Sequence, residues 1–151
     1  MIDEAAFPPG WKASDAGPQP PANAPLDHYH SIERIELFFY THNGVAFQEV
    51  HRFASVREAV REFKRQKSIS FPKDWVVPAE LPYQSPSVDQ FYLACGIEGS
   101  IQMCRAIWQY KEYFVRFNTH MSPELMSYAD LERVLKTIDE RLALYIEQDQ
   151  G

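Results

Sequence analysis

Cys95 and Cys104 are the two cysteines of this 151-residue chain. Between them lies Gly99-Ser100, a dipeptide suited to a type II′ reversal, whose first central residue needs φ > 0. A hairpin closed there sets Cys95 directly opposite Cys104. Opposed residues carry Cβ atoms about 4.5–5.5 Å apart, close to disulfide spacing. In a reducing compartment the pair is expected as buried thiols that behave as small hydrophobes, with the Cys95–Cys104 disulfide as the alternative. There is no C-x-x-C, so redox catalysis and structural zinc both lack their motif. A Cys104 nucleophile with His120 as base fails on strand parity, because the two residues fall on opposite faces.

A second constellation belongs to Glu36, Phe38, Tyr40, Phe47, Glu49 and His51. Asn43-Gly44 between two apolar runs signals a type I′ hairpin. That register pairs Tyr40 with Phe47, Phe38 with Glu49, Leu37 with Val50 and Glu36 with His51. One face then carries Ile35, Leu37, Phe39, Ala46 and Val50. The other gathers aromatic walls, carboxylates and an imidazole, the furnishing of a small-molecule pocket. An ordinary cross-strand ion pair between Glu36 and His51 explains the same residues more simply.

His28-x-His30, with Glu33 or Glu36 nearby, offers two imidazoles without a fixed third ligand. It reads as a surface or capping feature, and no metal is expected. G-x-x-x-x-G-K-S/T, G-x-G-x-x-G, G-x-S-x-G and H-E-x-x-H do not occur. No catalytic residue and no cofactor is therefore assigned.

The elements that must position these residues follow from periodicity and turn signals. Residues 1–30 hold Pro8, Pro9, Pro18, Pro20, Pro21 and Pro25, which rules out an ordinary helix or central strand and reads as an arm. In it Phe7, Trp11, Leu26 and Tyr29 could dock on a surface, and Trp11 is expected to pack on its own domain. After the first hairpin, Ser55-x-x-Glu58 is a capping box for a helix over 55–66, with Val56, Ala59, Val60 and Phe63 as its apolar stripe. Pro72, Pro78, Pro82 and Pro86 make the next stretch a long crossing loop, pinned by Phe71, Trp75, Leu81 and Tyr83.

Residues 89–120 read as three strands joined at Gly99-Ser100 and Lys111-Glu112. Both turns place Phe91, Leu93, Cys104, Ala106, Trp108, Val115 and Phe117 on one face. A C-terminal helix starting near Ser127 carries Leu131, Val134, Leu135, Ile138, Leu142 and Tyr145 at helical spacing. The fold class is α+β: hairpin, helix, long Pro-rich loop, three-strand meander and C-terminal helix, with an antiparallel sheet of about five strands and helices packed on it. The domain reading is an arm over 1–30 and a single α+β domain over 31–151.

A net charge of −6 without a Lys/Arg stripe argues against nucleic acid as partner, and no segment is apolar enough for a membrane span. The default location is cytoplasmic; the alternative is an extracytoplasmic mature chain whose signal was removed. These features lead to the expectation of a non-catalytic binding or accessory module for an unknown protein or small molecule. It would use the aromatic-rich sheet face, with the arm as a further element, and self-associate as a homo-oligomer. The alternative is a small-molecule-binding enzyme with a Glu/His site on the first hairpin.

Overall fold

A computed structural model describes residues 2–14, 18–19 and 31–149. Five long strands form the sheet: β3 (Glu33–Thr41), β4 (Gly44–Arg52), β5 (Gln90–Glu98), β6 (Ile101–Tyr110) and β7 (Tyr113–His120). Two short strands, β1 (Lys12–Ala13) and β2 (Pro18–Gln19), both pair antiparallel with β3, so the order across the sheet is β1-β3-β4-β7-β6-β5. Pro18 is tolerated because it lies on that outer edge, where no ladder donor is needed. The hairpin and the meander join through an antiparallel β4–β7 pair, with Val50 opposite Val115 and Glu49 opposite Arg116. Two helices complete the α+β fold, α1 (Val56–Ile69) and α2 (Tyr128–Asp149).

Both meander turns have the anticipated register, with Cys95 opposite Cys104, Trp108 opposite Val115 and Tyr110 opposite Tyr113. Gly99 takes φ 66, as the type II′ reading requires. Lys111 also takes a positive φ, 50, which a non-glycine residue does only where its surroundings hold it. Here Asp89 does so. Its carboxylate accepts the Lys111 N–H at 2.9 Å, and the buried Gln109 amide donates to the Lys111 carbonyl at 2.8 Å.

The first hairpin corrects the expected register. Its two-residue loop is His42-Asn43, so Thr41 faces Gly44, Phe38 faces Phe47, Glu36 faces Glu49 and Arg34 faces His51. The slip is by two residues, which preserves every face assignment while changing every partner. Gly44 serves the close approach of other side chains instead of turn geometry. A Cβ there would stand 3.1 Å from Leu125 and 3.4 Å from the Trp11 ring.

On one face of the sheet, Phe39, Ala46, Val115, Phe117, Cys104, Ala106, Trp108 and Leu93 meet Leu131, Val134, Leu135, Ile138 and Leu142 of α2 in a continuous core. The side chain of Tyr145 lies outside the described residues. Phe7 stacks on Phe39 with ring centres 4.2 Å apart, and Trp11 donates its indole N–H to the Leu125 carbonyl at 3.2 Å. Trp11 thus closes the core of its own domain. The Ser127–Asp130 pair starts α2 reciprocally: the Ser127 hydroxyl accepts the Asp130 N–H, and the Asp130 carboxylate accepts the Ser127 N–H.

The opposite face carries α1, whose buried residues are Ala59, Glu62, Phe63 and Gln66. Val56 is exposed and Val60 only partly buried, so the all-apolar stripe read from periodicity is replaced by a mixed one. The sheet beneath explains the change. Phe63 and Ala59 meet Ile107 and Phe114, while Gln66 lies beside the Arg116 guanidinium.

Cys95 and Cys104 are joined as a disulfide, where the cytoplasmic reading favoured reduced thiols. The Val76 backbone exchanges two hydrogen bonds with Cys95, so Cys95 points its amide and carbonyl away from β6. The cysteines therefore form a non-hydrogen-bonded pair, in which opposed strands lie closest. Their Cα atoms are 4.1 Å apart.

Candidate functional site

Glu36, Phe38, Tyr40, Phe47, Glu49 and His51 share one face of the β3–β4 hairpin, since alternate strand residues point the same way and the slip of two keeps that parity. They do not form one site. Phe38 packs on Phe47 with centroids 4.7 Å apart and on Tyr40 at 6.2 Å. The first two are partly buried, and Tyr40 is 45% exposed. This aromatic row lies on the half of the face beyond α1, which packs over β6 and β7.

Glu49 and His51 instead belong to a buried polar chain, His51 being 0% exposed. The His51 ring places Nδ1 3.0 Å from Ser31 Oγ and Nε2 3.2 Å from the Glu49 carboxylate. Glu49 also meets the Arg116 guanidinium at 3.3 Å. Glu36 is outside this chain and pairs with Arg34 at 3.5 Å. Both ring nitrogens thus have an oxygen partner, the Ser31 hydroxyl at Nδ1 and the Glu49 carboxylate at Nε2. Ser31, His51, Glu49 and Arg116 are thereby linked below the surface, where burial favours paired polar groups.

A second cluster, absent from the sequence reading, surrounds Asp139 on α2. Its carboxylate is 3% exposed and accepts from the Tyr83 hydroxyl, the Ser85 hydroxyl and, at 3.2 Å, the Trp108 indole. Burial raises the Asp139 carboxyl above its ordinary range against the lowering effect of those donors. Burial also raises the Tyr83 phenol, helped by its hydrogen bond to Asp139 and by the charges of Asp139, Glu132 and Glu140. Tyr83 is therefore a fixed donor. The signal that could have found Asp139 is its place four residues after Leu135, a lone carboxylate on the apolar stripe.

Beside this cluster, the 82–87 part of the crossing loop and α2 flank an open groove of about 720 Å³. It is lined by Pro82, Tyr83 and Pro86 on one side and Glu132, Lys136 and Glu140 on the other. His28 and His30 lie outside the described residues. Among the described residues no group of three or more His, Cys, Asp or Glu is placed to hold a metal ion, and no helix is long and apolar enough to cross a membrane. No family model matches the chain, and neither the curated proteins nor the solved structures compared with it provide a match.

Proposed function

We propose that this protein is a non-catalytic binding module that docks a protein partner on the β3–β4 half of its sheet. The observation carrying this reading is the row Tyr40–Phe38–Phe47, aromatic rings packed on one another at the surface beyond the reach of α1. Aromatic side chains presented on a rigid sheet supply contact area at little entropic cost, as at protein interfaces. Self-association is part of the proposal and would use the same surface, whereas Phe7 and Trp11 of the arm lie in the core of their own domain.

The test is a comparison of the wild-type chain with Phe38→Ser and Phe47→Ser as baits, each first shown to be folded by circular dichroism. A partner retained by the wild type is then purified and its affinity measured. A loss of about tenfold or more, the scale of an aromatic anchor, supports the reading; equal affinity for all three sinks it.

A second reading, a small-molecule enzyme using Glu36, Glu49 and His51, draws on the Ser31–His51–Glu49 chain, in which an imidazole lies between a carboxylate and a hydroxyl. Burial of all three opposes it, since a nucleophile must meet its substrate. A fluorophosphonate probe decides: an adduct at Ser31 that disappears in His51→Gln would favour the enzyme.

A further inference from the structure

The Cys95–Cys104 disulfide ties an edge strand to an inner one. Cys95 is on β5, the last strand of the sheet, whereas Cys104 is on β6, which is hydrogen-bonded on both sides, to β5 and to β7. The outer side of β5 holds the crossing loop. The Val76 N–H donates to the Cys95 carbonyl at 3.0 Å, the Val76 carbonyl accepts the Cys95 N–H at 2.8 Å, and the Trp75 indole lies on Gly96. An open groove of about 480 Å³ runs between loop residues 76–80 and the end of β5, and Cys95 lines it while Cys104 does not. Val76, Val77 and Ile97 on its rim are exposed, and Cys104 is buried in the core under α2. A thiol arriving from solvent therefore meets Cys95 first.

We propose that Cys95–Cys104 is a redox switch, opened by a dithiol reductant that enters this groove, and that its state sets the position of the crossing loop. A thiolate of the reductant attacks Cys95 Sγ, the Cys95–Cys104 bond breaks, and its electron pair leaves on Cys104 Sγ, which takes up a proton. Cys95 is then held as a mixed disulfide. The second thiolate of the reductant attacks the reductant's own sulfur in that bond, closing the reductant into a cyclic disulfide and releasing Cys95, which is protonated in turn. Two electrons and two protons pass to the protein, and the disulfide form of the same reagent reverses the exchange. The freed sulfurs need van der Waals separation where a covalent bond stood, so one strand must give way. β6 is fixed between two neighbours, whereas β5 is an edge. β5 therefore moves outward and carries Val76 and Trp75, which are anchored on Cys95 and Gly96. The β3–β4 hairpin, separated from β5 by β7 and β6, keeps its place.

The intact oxidised chain is treated with dithiothreitol without denaturant, its thiols are followed by alkylation and mass, and its amide exchange is compared with that of the untreated chain. Both cysteines are expected to become reactive, Cys95 before Cys104. Exchange should accelerate about tenfold or more over 75–79 and 94–103, since a cross-link of this ring size contributes more than a power of ten in stability. β3, β4 and β7 should exchange as before. Cys95→Ala/Cys104→Ala should show the reduced pattern without reductant and no response to it, and oxidised dithiothreitol should return the wild type to its starting pattern. The proposal is overturned if no thiol appears until denaturant is added, if Cys104 reacts first, or if the reduced chain exchanges as the oxidised one does. Acceleration throughout the sheet would equally overturn it, by making the bond a staple of the whole fold.

Discussion

The Trp75 indole lies on the backbone of Gly96 so closely that a β-carbon at position 96 would stand 2.2 Å from its Cδ1. Trp75 is thereby the pin of the crossing loop, and its ring also stacks under the Arg105 guanidinium at 5.0 Å. Gly96→Ala should therefore cost about 1–3 kcal/mol by overpacking. In a Trp75→Ala background the same change should be nearly neutral or slightly stabilising, because alanine suits a strand better than glycine does. Urea denaturation of the four proteins gives the coupling. An equal cost in both backgrounds would show that something other than the indole forbids the β-carbon.

Asp139 makes a prediction with a defined sign. Its folded carboxyl is raised above the ordinary 3.8, so in the window above 3.8 the native state binds more protons than the unfolded one. Stability contributed by this group is present below 3.8 and is lost as pH rises through the folded value. The stability difference between wild type and Asp139→Asn should therefore shift in favour of the wild type as pH falls through that window. Thermal denaturation against pH measures it; a difference that moves the other way would mean that the three donors outweigh burial.

Tyr83→Phe removes one of those donors without changing the ring. Removing one partner of a buried hydrogen bond costs about 1–3 kcal/mol, and a loss of that size is expected in chemical denaturation. Because Tyr83 belongs to the crossing loop, amide exchange should also accelerate around 82–87 before it does in the sheet. Unchanged protection there would mean that Trp75 and Leu81 hold the loop without it.

The disulfide closes a short ring, with Cys95 and Cys104 separated by 9 in sequence. Loop-entropy arguments give about 2–3 kcal/mol for a ring of this size. Protein purified with thiols blocked should have the mass of the oxidised chain, and Cys95→Ala/Cys104→Ala should lower stability by about that amount. Detection of two free thiols in the native protein would place it in a reducing compartment, with the pair held as thiols.

Ser127 and Asp130 cap α2 reciprocally, and Ser127→Ala is expected to cost about 1 kcal/mol. The same substitution at Ser55, whose hydroxyl accepts the Glu58 N–H at 3.2 Å, should cost a similar amount. Thermal unfolding midpoints compare the two.

Turn chemistry and strand parity were enough to read the meander. Gly99-Ser100 has the glycine its backbone needs, and the Cys95–Cys104 and Trp108–Val115 pairs follow by counting. The first hairpin shows where counting stops. Asn43-Gly44 carries the strongest local turn signal, yet Gly44 is taken into β4, where Trp11 and Leu125, remote in sequence, lie against it. The faces survived because the slip was even. The candidate residues Glu36, Phe38, Tyr40, Phe47, Glu49 and His51 were thus placed on one face correctly. Their division into a surface aromatic row and a buried polar chain depended on Arg116 and on where α1 lies.

By itself the sequence determined the five long strands, the two helices, the antiparallel pairing within each unit and the apolar face under α2, because these depend on neighbours a few residues apart and on the alternation of a strand; the short strands β1 and β2 were not foreseen. Tertiary structure alone decided that β4 joins β7, that α1 buries Glu62 and Gln66, and that Asp139 sits under Tyr83, Ser85 and Trp108. A carboxylate on an apolar stripe can be buried only where donors from distant segments converge on it. That convergence is a property of packing, which no local pattern encodes.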